Sequence, residues 1–365
     1  MNKVLVISNM YPSEKYPHYG VFVRNTVQIL EEGGYKIDVI SLQKEDNSFL
    51  KIRNYLKFYL MSFFKIIKGR YDIVYAHYAS HTALPILLGK HFSSSHIVTN
   101  VHGNDIVPET KKDIKYLKLA KKLLVESDLV ICPSRYFQEI VTKDFLIPNF
   151  KTSVYPSGGV DSKVFHMMEK EKCLQKLRLK NKKIYIGYVG RIEEKKGWDV
   201  FIRAGYKLIK KYKNISLLVV GDGTQIGEFN KLVRNLGMEN NIIRFNLLSQ
   251  HEIAYVYNSV DVFVFPTYRK SESLGLVGLE AMRCGALTVL PDKYGPSSYG
   301  IDGYNCIQFI SGNIESLFLA IEKGILLDEQ EKEKIRINGI NTAKIFDKEK
   351  NKDILIKEFS KLMEH

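Results

Sequence analysis

The chain has 365 residues, a length that favours two domains over one. Its formal charge of +14 favours an anionic partner, which is a nucleic acid, a membrane surface or a phosphorylated ligand, although a lysine-rich solvated surface is an alternative. The four cysteines show no C-x-x-C spacing, which is typical of buried thiols in a reducing compartment, and no apolar run is long enough to span a membrane.

The chain begins with a strand, a loop and a helix. Residues 3–8 and 37–42 are apolar runs that predict buried strands, and apolar positions at helical spacing predict a helix over 21–32. The loop 9–20 lies where a doubly wound domain binds its ligand. It holds no G-x-G-x-x-G, so a dinucleotide-binding fingerprint is excluded there.

Residues 51–70 predict an amphipathic helix with six basic residues and no acidic residue. One face is predicted to pack on the sheet, and it comprises Ile52, Tyr55, Leu56, Tyr59, Phe63, Ile66 and Ile67. The opposite face is predicted to carry Arg53, Lys57, Lys65 and Lys68 with Phe58, Met61 and Phe64 among them. Large apolar groups among lysines suit an anionic membrane surface, whereas an ordinary amphipathic helix is the alternative.

A polar step follows a buried strand at 97–100, where the chain continues as V-H-G-N-D over 101–105. This position is the ligand edge of an α/β sheet. We therefore interpret His102 as a hydrogen-bond donor in an active site, with a loop histidine of no function as the alternative. Further elements of this domain are predicted at 111–126, 128–132, 135–146 and 152–155, and the polar, lysine-rich segment 161–182 is predicted to be a linker.

The strand-helix alternation then restarts. A strand at 184–189 leads to Arg191, and Lys196 precedes a helix. Arginine and lysine beside helix starts can neutralise a diphosphate, whereas a basic surface loop is the alternative. A further strand, at 217–220, ends in the ligand-edge turn Gly221-Asp222-Gly223.

The segment 260–290 predicts a strand, a loop, a short helix from Gly275 and a second strand. The start of a helix presents unpaired N–H groups and a positive dipole end, so it favours an anion. Glu280, inside the helix, suits ribose hydroxyls, and Glu272, in the loop, suits a sugar. The alternative is a pair of solvated glutamates.

These residues form an ordered set. E-x-x-G-x-x-x-x-E over 272–280 and A-M-x-x-G over 281–285 follow His102-Gly103, Gly190-Arg191, Lys196-Gly197 and Gly221-Asp222-Gly223. The set resembles the donor-site signature of retaining glycosyltransferases with the GT-B fold, of the family 4 type, and the resemblance covers nearly the whole chain.

The resemblance implies an α/β protein of two doubly wound, Rossmann-like domains facing a cleft. Residues 1–160 would form the acceptor-side domain, 161–182 a linker and 183–345 the nucleotide-sugar domain, while the helix in 346–365 would cross back to the first domain. The implied reaction moves a sugar from a nucleotide diphosphate sugar, with UDP favoured, to a hydroxyl of a glycan or lipid-linked glycan in cell-surface polysaccharide synthesis.

The resemblance also implies roles for single residues. The catalytic group would comprise His102, Arg191, Lys196 and Glu272. Asp105 would orient the site or contact the acceptor. The donor would also be bound by Gly20, Gly190, Gly221, Leu274, Gly275, Leu276 and Glu280.

Other expectations concern partners and location. No D-x-D motif occurs, so we expect no metal ion and no other cofactor. The start of the chain turns polar too quickly for a signal peptide, so we expect a cytoplasmic protein bound peripherally to the inner face of the membrane through 51–70, with no nucleic acid partner. The alternative functions are a nucleotide-sugar epimerase or a phosphorylase on the same fold, and a non-catalytic protein that binds anionic lipid or nucleic acid.

Overall fold

Strands and helices alternate along the chain in a computed structural model that describes residues 2–16, 19–156, 158–181 and 183–364. The described chain divides into two units. The first runs to Gly158 and includes the chain from Glu349 onward, and the second is Gly159–Lys348. Pro17 and His18 of the predicted loop 9–20 and Lys182 of the predicted linker lie outside the described residues.

The first unit is built on a six-stranded sheet in the order β2-β1-β3-β4-β5-β6, with all strands parallel. Its elements are β1 (Lys3–Ser8), α1 (Val21–Glu32), β2 (Lys36–Ser41), α2 (Ser48–Lys68), β3 (Ile73–His77), α3 (Ala79–Gly89), β4 (His96–Asn100), α4 (Lys111–Glu126), β5 (Leu129–Cys132), α5 (Arg135–Lys143) and β6 (Thr152–Val154). Strand β1, which lies between β2 and β3, is buried on both sides, as expected for a sheet covered by helices on both faces.

The second unit repeats the plan with the strand order β12-β11-β10-β7-β8-β9, again all parallel. Its elements are α6 (Lys170–Lys176), β7 (Ile184–Val189), α7 (Trp198–Lys211), β8 (Ile215–Val220), α8 (Ile226–Asn235), β9 (Ile242–Phe245), α9 (Gln250–Ser259), β10 (Val262–Val264), α10 (Leu276–Arg283), β11 (Thr288–Pro291), β12 (Ile307–Phe309), α11 (Ile314–Leu326) and α12 (Glu329–Ile345). Because the strands are parallel, the loops that follow them meet at one edge of the sheet.

The last helix, α13 (Lys348–Met363), returns to the first unit. Leu355 and Phe359 are fully buried in the core beneath β1 and β3. The Phe359 ring packs edge-on against Tyr75, with 5.1 Å between ring centroids. Removing this helix would therefore expose one face of the first sheet.

The segment 161–182 corrects a prediction, because it is folded rather than a free linker. It contains α6, and Phe165 and Leu174 are almost completely buried in a core cluster of the second unit. Met168 donates its backbone N–H to Asn258 at 2.7 Å, and Lys170 pairs with Asp261 at 2.6 Å. Most of the described lysines that made the segment resemble a linker are exposed, namely Lys163, Lys172, Lys176 and Lys180.

Helix α2 corrects part of a second prediction, because Phe58 lies on its inward face although Ile66 and Tyr59 pack there as predicted. Phe58 is 2% exposed and belongs to the core with Ile66, whereas Ile52 and Leu56 are 71% and 59% exposed. Apolar side chains occur all around this helix, so its sequence does not specify which stripe faces the sheet. Within the described chain, no helix combines the length and apolar character needed to span a membrane.

Candidate active site

Asp105 anchors the loop that follows β4 in the first unit. Its buried carboxylate accepts the backbone N–H groups of Gly103 at 2.8 Å, His102 at 3.1 Å and Ala79 at 3.1 Å. Burial raises the pKa of Asp105, although these three hydrogen bonds oppose the rise. The carboxylate thus ties the loop to the start of α3, an arrangement that favours an orienting role over contact with an acceptor.

The His102 ring lies in an aromatic cage. Its centroid is 4.7 Å from that of Phe22, 4.8 Å from Tyr78 and 5.1 Å from His77, and the two histidine rings are stacked. His102 Nε2 and His77 Nδ1 are 3.0 Å apart and share a hydrogen bond. Burial lowers the pKa of His102 to about 3, and burial with the neighbouring His102 lowers that of His77 well below its usual range. Both rings are therefore neutral at pH 7.

His77 is a residue that sequence reasoning missed. It ends β3 and is fully buried, and its Nε2 has no hydrogen-bond partner within the described structure. A single histidine at the end of an apolar strand gives no signal by itself. Only the sheet order, which places β3 beside β4, brings His77 to His102.

Gly20 immediately precedes α1 and has a φ of 78°. A Cβ at this position would lie 2.7 Å from the carbonyl carbon of Met10, so only glycine fits. This backbone constraint explains the glycine without a ligand, and its role in donor binding stays a prediction.

In the second unit, Lys196 and Glu272 form an ion pair. The Lys196 Nζ is 2.7 Å from Glu272 Oε2, and the two side chains are only 15% and 12% exposed. Thr267 donates its hydroxyl to the same oxygen at 3.2 Å. Burial by itself would raise the pKa of Glu272, but the charge and hydrogen bond of Lys196, with Arg269 and Thr267, hold it below its usual value. Glu272 is therefore ionised and Lys196 is its counter-ion.

This pair is made possible by two adjacent loops. β7 and β10 are neighbours in the sheet, and Gly197 packs directly on the backbone of Pro266, which follows β10. A Cβ at Gly197 would lie 1.9 Å from the Pro266 carbonyl oxygen. The glycine therefore lets the loop that carries Lys196 approach the loop that carries Glu272.

Arg191 is not joined to this pair. Its side chain is exposed and forms an ion pair with Glu193 at 3.0 Å. The preceding residue, Gly190, touches the turn after β8, where a Cβ at Gly221 would lie 1.9 Å from the Gly190 carbonyl oxygen. Both glycines thus shape the edge of the sheet, while the Arg191 guanidinium faces solvent.

The start of α10 supplies the predicted helix terminus. Gly275 precedes the helix with a φ of 80°, and a Cβ there would lie 2.5 Å from the ring of Phe265. Leu274 is buried in the core, so it can offer a ligand its backbone but not its side chain. Leu276 is the first residue of the helix and is partly buried. The free N–H groups of this first turn form a site that favours an anion.

Glu280 lies one turn further along α10 and accepts the hydroxyl of Tyr257 at 3.0 Å. Burial raises the pKa of Glu280 to about 7, although this hydrogen bond opposes the rise. Tyr257 is the second residue that sequence reasoning missed, because nothing in the pattern of α9 distinguishes it from an ordinary core tyrosine. A carboxyl group that titrates near neutral pH is a feature found at functional sites.

Two family models match the chain. The model Glycosyltransferase Family 4 matches residues 3–162, and Glycosyl transferases group 1 matches residues 169–342. The first covers His102 and Asp105, and the second covers Lys196, Glu272 and Glu280. The chain belongs to the glycosyltransferase family of the group 1, family 4 type.

The chain is similar in sequence to two curated glycosyltransferases. The D-inositol 3-phosphate glycosyltransferase of Stackebrandtia nassauensis is 27% identical over 252 residues, covering 65% of this chain and 56% of the relative. The capsular polysaccharide biosynthesis glycosyltransferase CapM of Staphylococcus aureus is 29% identical over 241 residues, covering 63% of this chain and 61% of the relative. Each match thus spans less than two thirds of the relative's length.

Two solved structures show the fold of the glycosyltransferase. Sucrose-phosphate synthase from Thermosynechococcus elongatus aligns with a TM-score of 0.83 at 18% identity, covering 100% of this chain and 99% of that one. Anabaena HepE, in complex with UDP and glucose, aligns with a TM-score of 0.75 at 18% identity, covering 99% and 100%. These alignments, with the two parallel sheets, confirm the predicted GT-B fold.

Proposed function

We propose that this glycosyltransferase moves a sugar from a nucleotide diphosphate sugar, UDP-linked in the first instance, to a hydroxyl of a glycan or lipid-linked glycan, with retention at the anomeric carbon. The observation that carries the proposal is the buried Lys196–Glu272 pair beside the loop that leads into α10. It combines a cation for the diphosphate and a carboxylate for the sugar at one sheet edge.

The pair suits the charge changes of the reaction. The bond from the anomeric carbon to the diphosphate oxygen breaks, and negative charge grows on the leaving diphosphate. Lys196 has three N–H donors, so it can keep Glu272 and still donate to a phosphate oxygen. We assign stabilisation of the leaving group to Lys196, Arg191 and the first turn of α10, with no metal ion in the scheme.

The sugar and the acceptor are assigned to the remaining groups. Glu272 Oε2 holds Lys196 and Thr267, so we assign its other oxygen to the sugar hydroxyls. The acceptor oxygen bonds to the anomeric carbon on the face that the diphosphate leaves, and the departing phosphate takes the acceptor's proton. In the first unit we assign His102 to a hydrogen bond with the reacting sugar.

The named relatives support the choice of substrate classes. HepE is described in complex with UDP and glucose, and CapM is a capsular polysaccharide biosynthesis enzyme. These names favour a UDP-sugar and a polysaccharide acceptor for this chain. An epimerase needs no glycan acceptor, and a phosphorylase exchanges inorganic phosphate rather than a nucleoside diphosphate. Release of nucleoside diphosphate that depends on a glycan acceptor therefore separates the transferase from both.

Replacing Glu280 by glutamine is expected to weaken binding of the nucleoside diphosphate by about 1 to 3 kcal/mol, because the amide is a poorer acceptor for the ribose hydroxyls. The ionised carboxylate binds best, so wild-type affinity should rise as the pH increases through about 7. The terminal phosphate of the nucleoside diphosphate also titrates in this range, but its titration affects wild type and the Glu280→Gln variant equally. Calorimetric titration between pH 6 and 8 measures the difference.

Glu272→Gln is the matched control, because its carboxylate is assigned to the sugar rather than to the ribose. It should lower turnover and leave the affinity for nucleoside diphosphate nearly unchanged. If Glu280→Gln binds the nucleotide like wild type, with the same pH profile, Glu280 is only a helix residue hydrogen-bonded to Tyr257.

A further inference from the structure

Helix α2 carries a second apolar stripe that faces away from the protein. Its inward side is already filled by Phe58, Ser62 and Ile66. The outward stripe is between 48% and 77% exposed and comprises Phe49, Ile52, Leu56, Leu60 and Phe64. Spacings of three and four residues align these side chains along the whole 21-residue helix. A stripe of this length on the outside of a folded domain indicates a binding surface.

The surface continues beyond α2. The ring of Phe63 packs edge-on against that of Phe92, which follows α3, with 6.4 Å between centroids. Phe92 and Leu88 are themselves exposed, so apolar groups extend from α2 to the end of α3. We call α2 together with Leu88 and Phe92 the α2 surface. It is a patch rather than a single row.

Basic residues flank the stripe on one side. Arg53, Lys57 and Lys68 are exposed on α2, which contains no acidic residue. The Lys68 Nζ lies 5.5 Å from the centroid of the Phe64 ring, so cation and apolar group are adjacent. Lys65 differs from these three, because it is held by Asp38 at 2.9 Å.

We propose that the α2 surface docks on an anionic lipid bilayer, with α2 lying along the membrane plane. A helix in this position buries its apolar stripe at the boundary between headgroups and acyl chains, and its cations contact lipid phosphates. The flank of Arg53, Lys57 and Lys68 selects the bilayer over a second copy of the chain. In a two-fold contact the partner's α2, which has no acidic residue, would offer these cations no counter-charge, whereas an anionic bilayer offers lipid phosphates.

Two variants test the two components separately. Ile52→Gln/Leu56→Gln/Leu60→Gln removes apolar groups and keeps residues that favour helix, while Lys57→Glu/Lys68→Glu reverses two exposed cations. The matched controls change equally exposed residues of the second unit or of α13, namely Leu319→Gln/Leu326→Gln/Ile337→Gln and Lys334→Glu/Lys350→Glu. All changed side chains are exposed in the fold, so circular dichroism and melting temperature should match wild type.

Co-sedimentation with vesicles of phosphatidylglycerol and phosphatidylcholine, against phosphatidylcholine alone, gives the readout. Wild type and both controls should bind the anionic vesicles at low salt and lose them at high salt. Losing each lysine should weaken binding about five-fold, so the double reversal should weaken it at least about 25-fold. The triple glutamine variant should lose at least about ten-fold.

The proposal is overturned if wild type ignores anionic vesicles or if the α2 variants bind as the controls do. It is also overturned if wild type binds no vesicles and forms dimers that the triple glutamine variant abolishes, because a second copy then covers the surface. Nucleotide binding should be equal in all these variants. Failure of the membrane proposal is therefore distinguishable from failure of the proposed reaction.

Discussion

Lys196→Ala is expected to lower kcat/KM about 100- to 1,000-fold, which corresponds to about 3 to 4 kcal/mol of lost transition-state stabilisation. Lys196 is a largely buried cation of the proposed donor site, and its charge is assigned to the leaving diphosphate. The same change leaves the Glu272 carboxylate buried with no lysine beside it, so the protein should also melt at a lower temperature. Steady-state kinetics at saturating acceptor measure the first effect and thermal unfolding the second.

Lys211→Ala provides the control for loss of a lysine from an ion pair. Lys211 ends α7, the helix that Lys196 precedes, and its Nζ pairs with Glu322 at 2.8 Å. It lies at the far end of that helix, so activity should stay near wild type. If Lys196→Ala keeps kcat/KM within about two-fold of wild type while Tm falls, the pair is structural and the assignment to the diphosphate is wrong.

His102→Ala is expected to lower kcat/KM about 100-fold, on the scale of one preorganised hydrogen-bond donor. His77 is expected to act through His102 as a positioning residue, because the 3.0 Å hydrogen bond between the rings couples the tautomer of His102 to that of His77. His77→Asn can keep a polar group near the position of the His77 Nδ1 atom and so keep a hydrogen bond to His102, whereas His77→Phe cannot. We expect His77→Asn to retain activity within a few-fold and His77→Phe to lose more than about ten-fold.

Nitrogen NMR of labelled histidines separates this role from a purely structural one. With the pKa values of both rings lowered by burial, neither should titrate near the usual histidine value of 6.5, and one ring should donate to the other. His77→Phe should alter the tautomer of His102 while leaving the fold intact. Titration of either ring near pH 6.5, or an unchanged His102 tautomer in His77→Phe, would contradict the assignment.

The fold was predictable wherever a local pattern specifies it. Residues 111–126 and 184–189 are predicted with the bounds that the structure shows for α4 and β7. The segment 161–182 was not predictable, because its lysines hide the two side chains, Phe165 and Leu174, that anchor it. The orientation of α2 about its own axis was also not predictable. Apolar groups surround that helix, so only tertiary packing selects the face with Phe58, Ser62 and Ile66 as the buried one.

The residues proposed for the site could be chosen from the sequence, but the contacts between them could not. Lys196 and Glu272 were each predicted, yet their ion pair depends on β7 lying beside β10 in the sheet. Arg191, predicted beside the same diphosphate, forms an ion pair with Glu193 at the surface, and its contact with the diphosphate stays a prediction. His77 and Tyr257 were missed because each looks like a core residue until its partner, His102 or Glu280, is placed next to it.

The central claim, transfer of sugar from a nucleotide diphosphate sugar, is tested most directly by release of nucleoside diphosphate. UDP-, GDP- and ADP-sugars would be incubated with the enzyme, with and without a glycan or lipid-linked glycan fraction as acceptor. The account predicts that one donor class, UDP in the first instance, releases its nucleoside diphosphate when acceptor is present, and that Lys196→Ala abolishes most of this release. If none of the three donor classes binds or is cleaved, or if Lys196→Ala releases nucleotide like wild type, the account is contradicted.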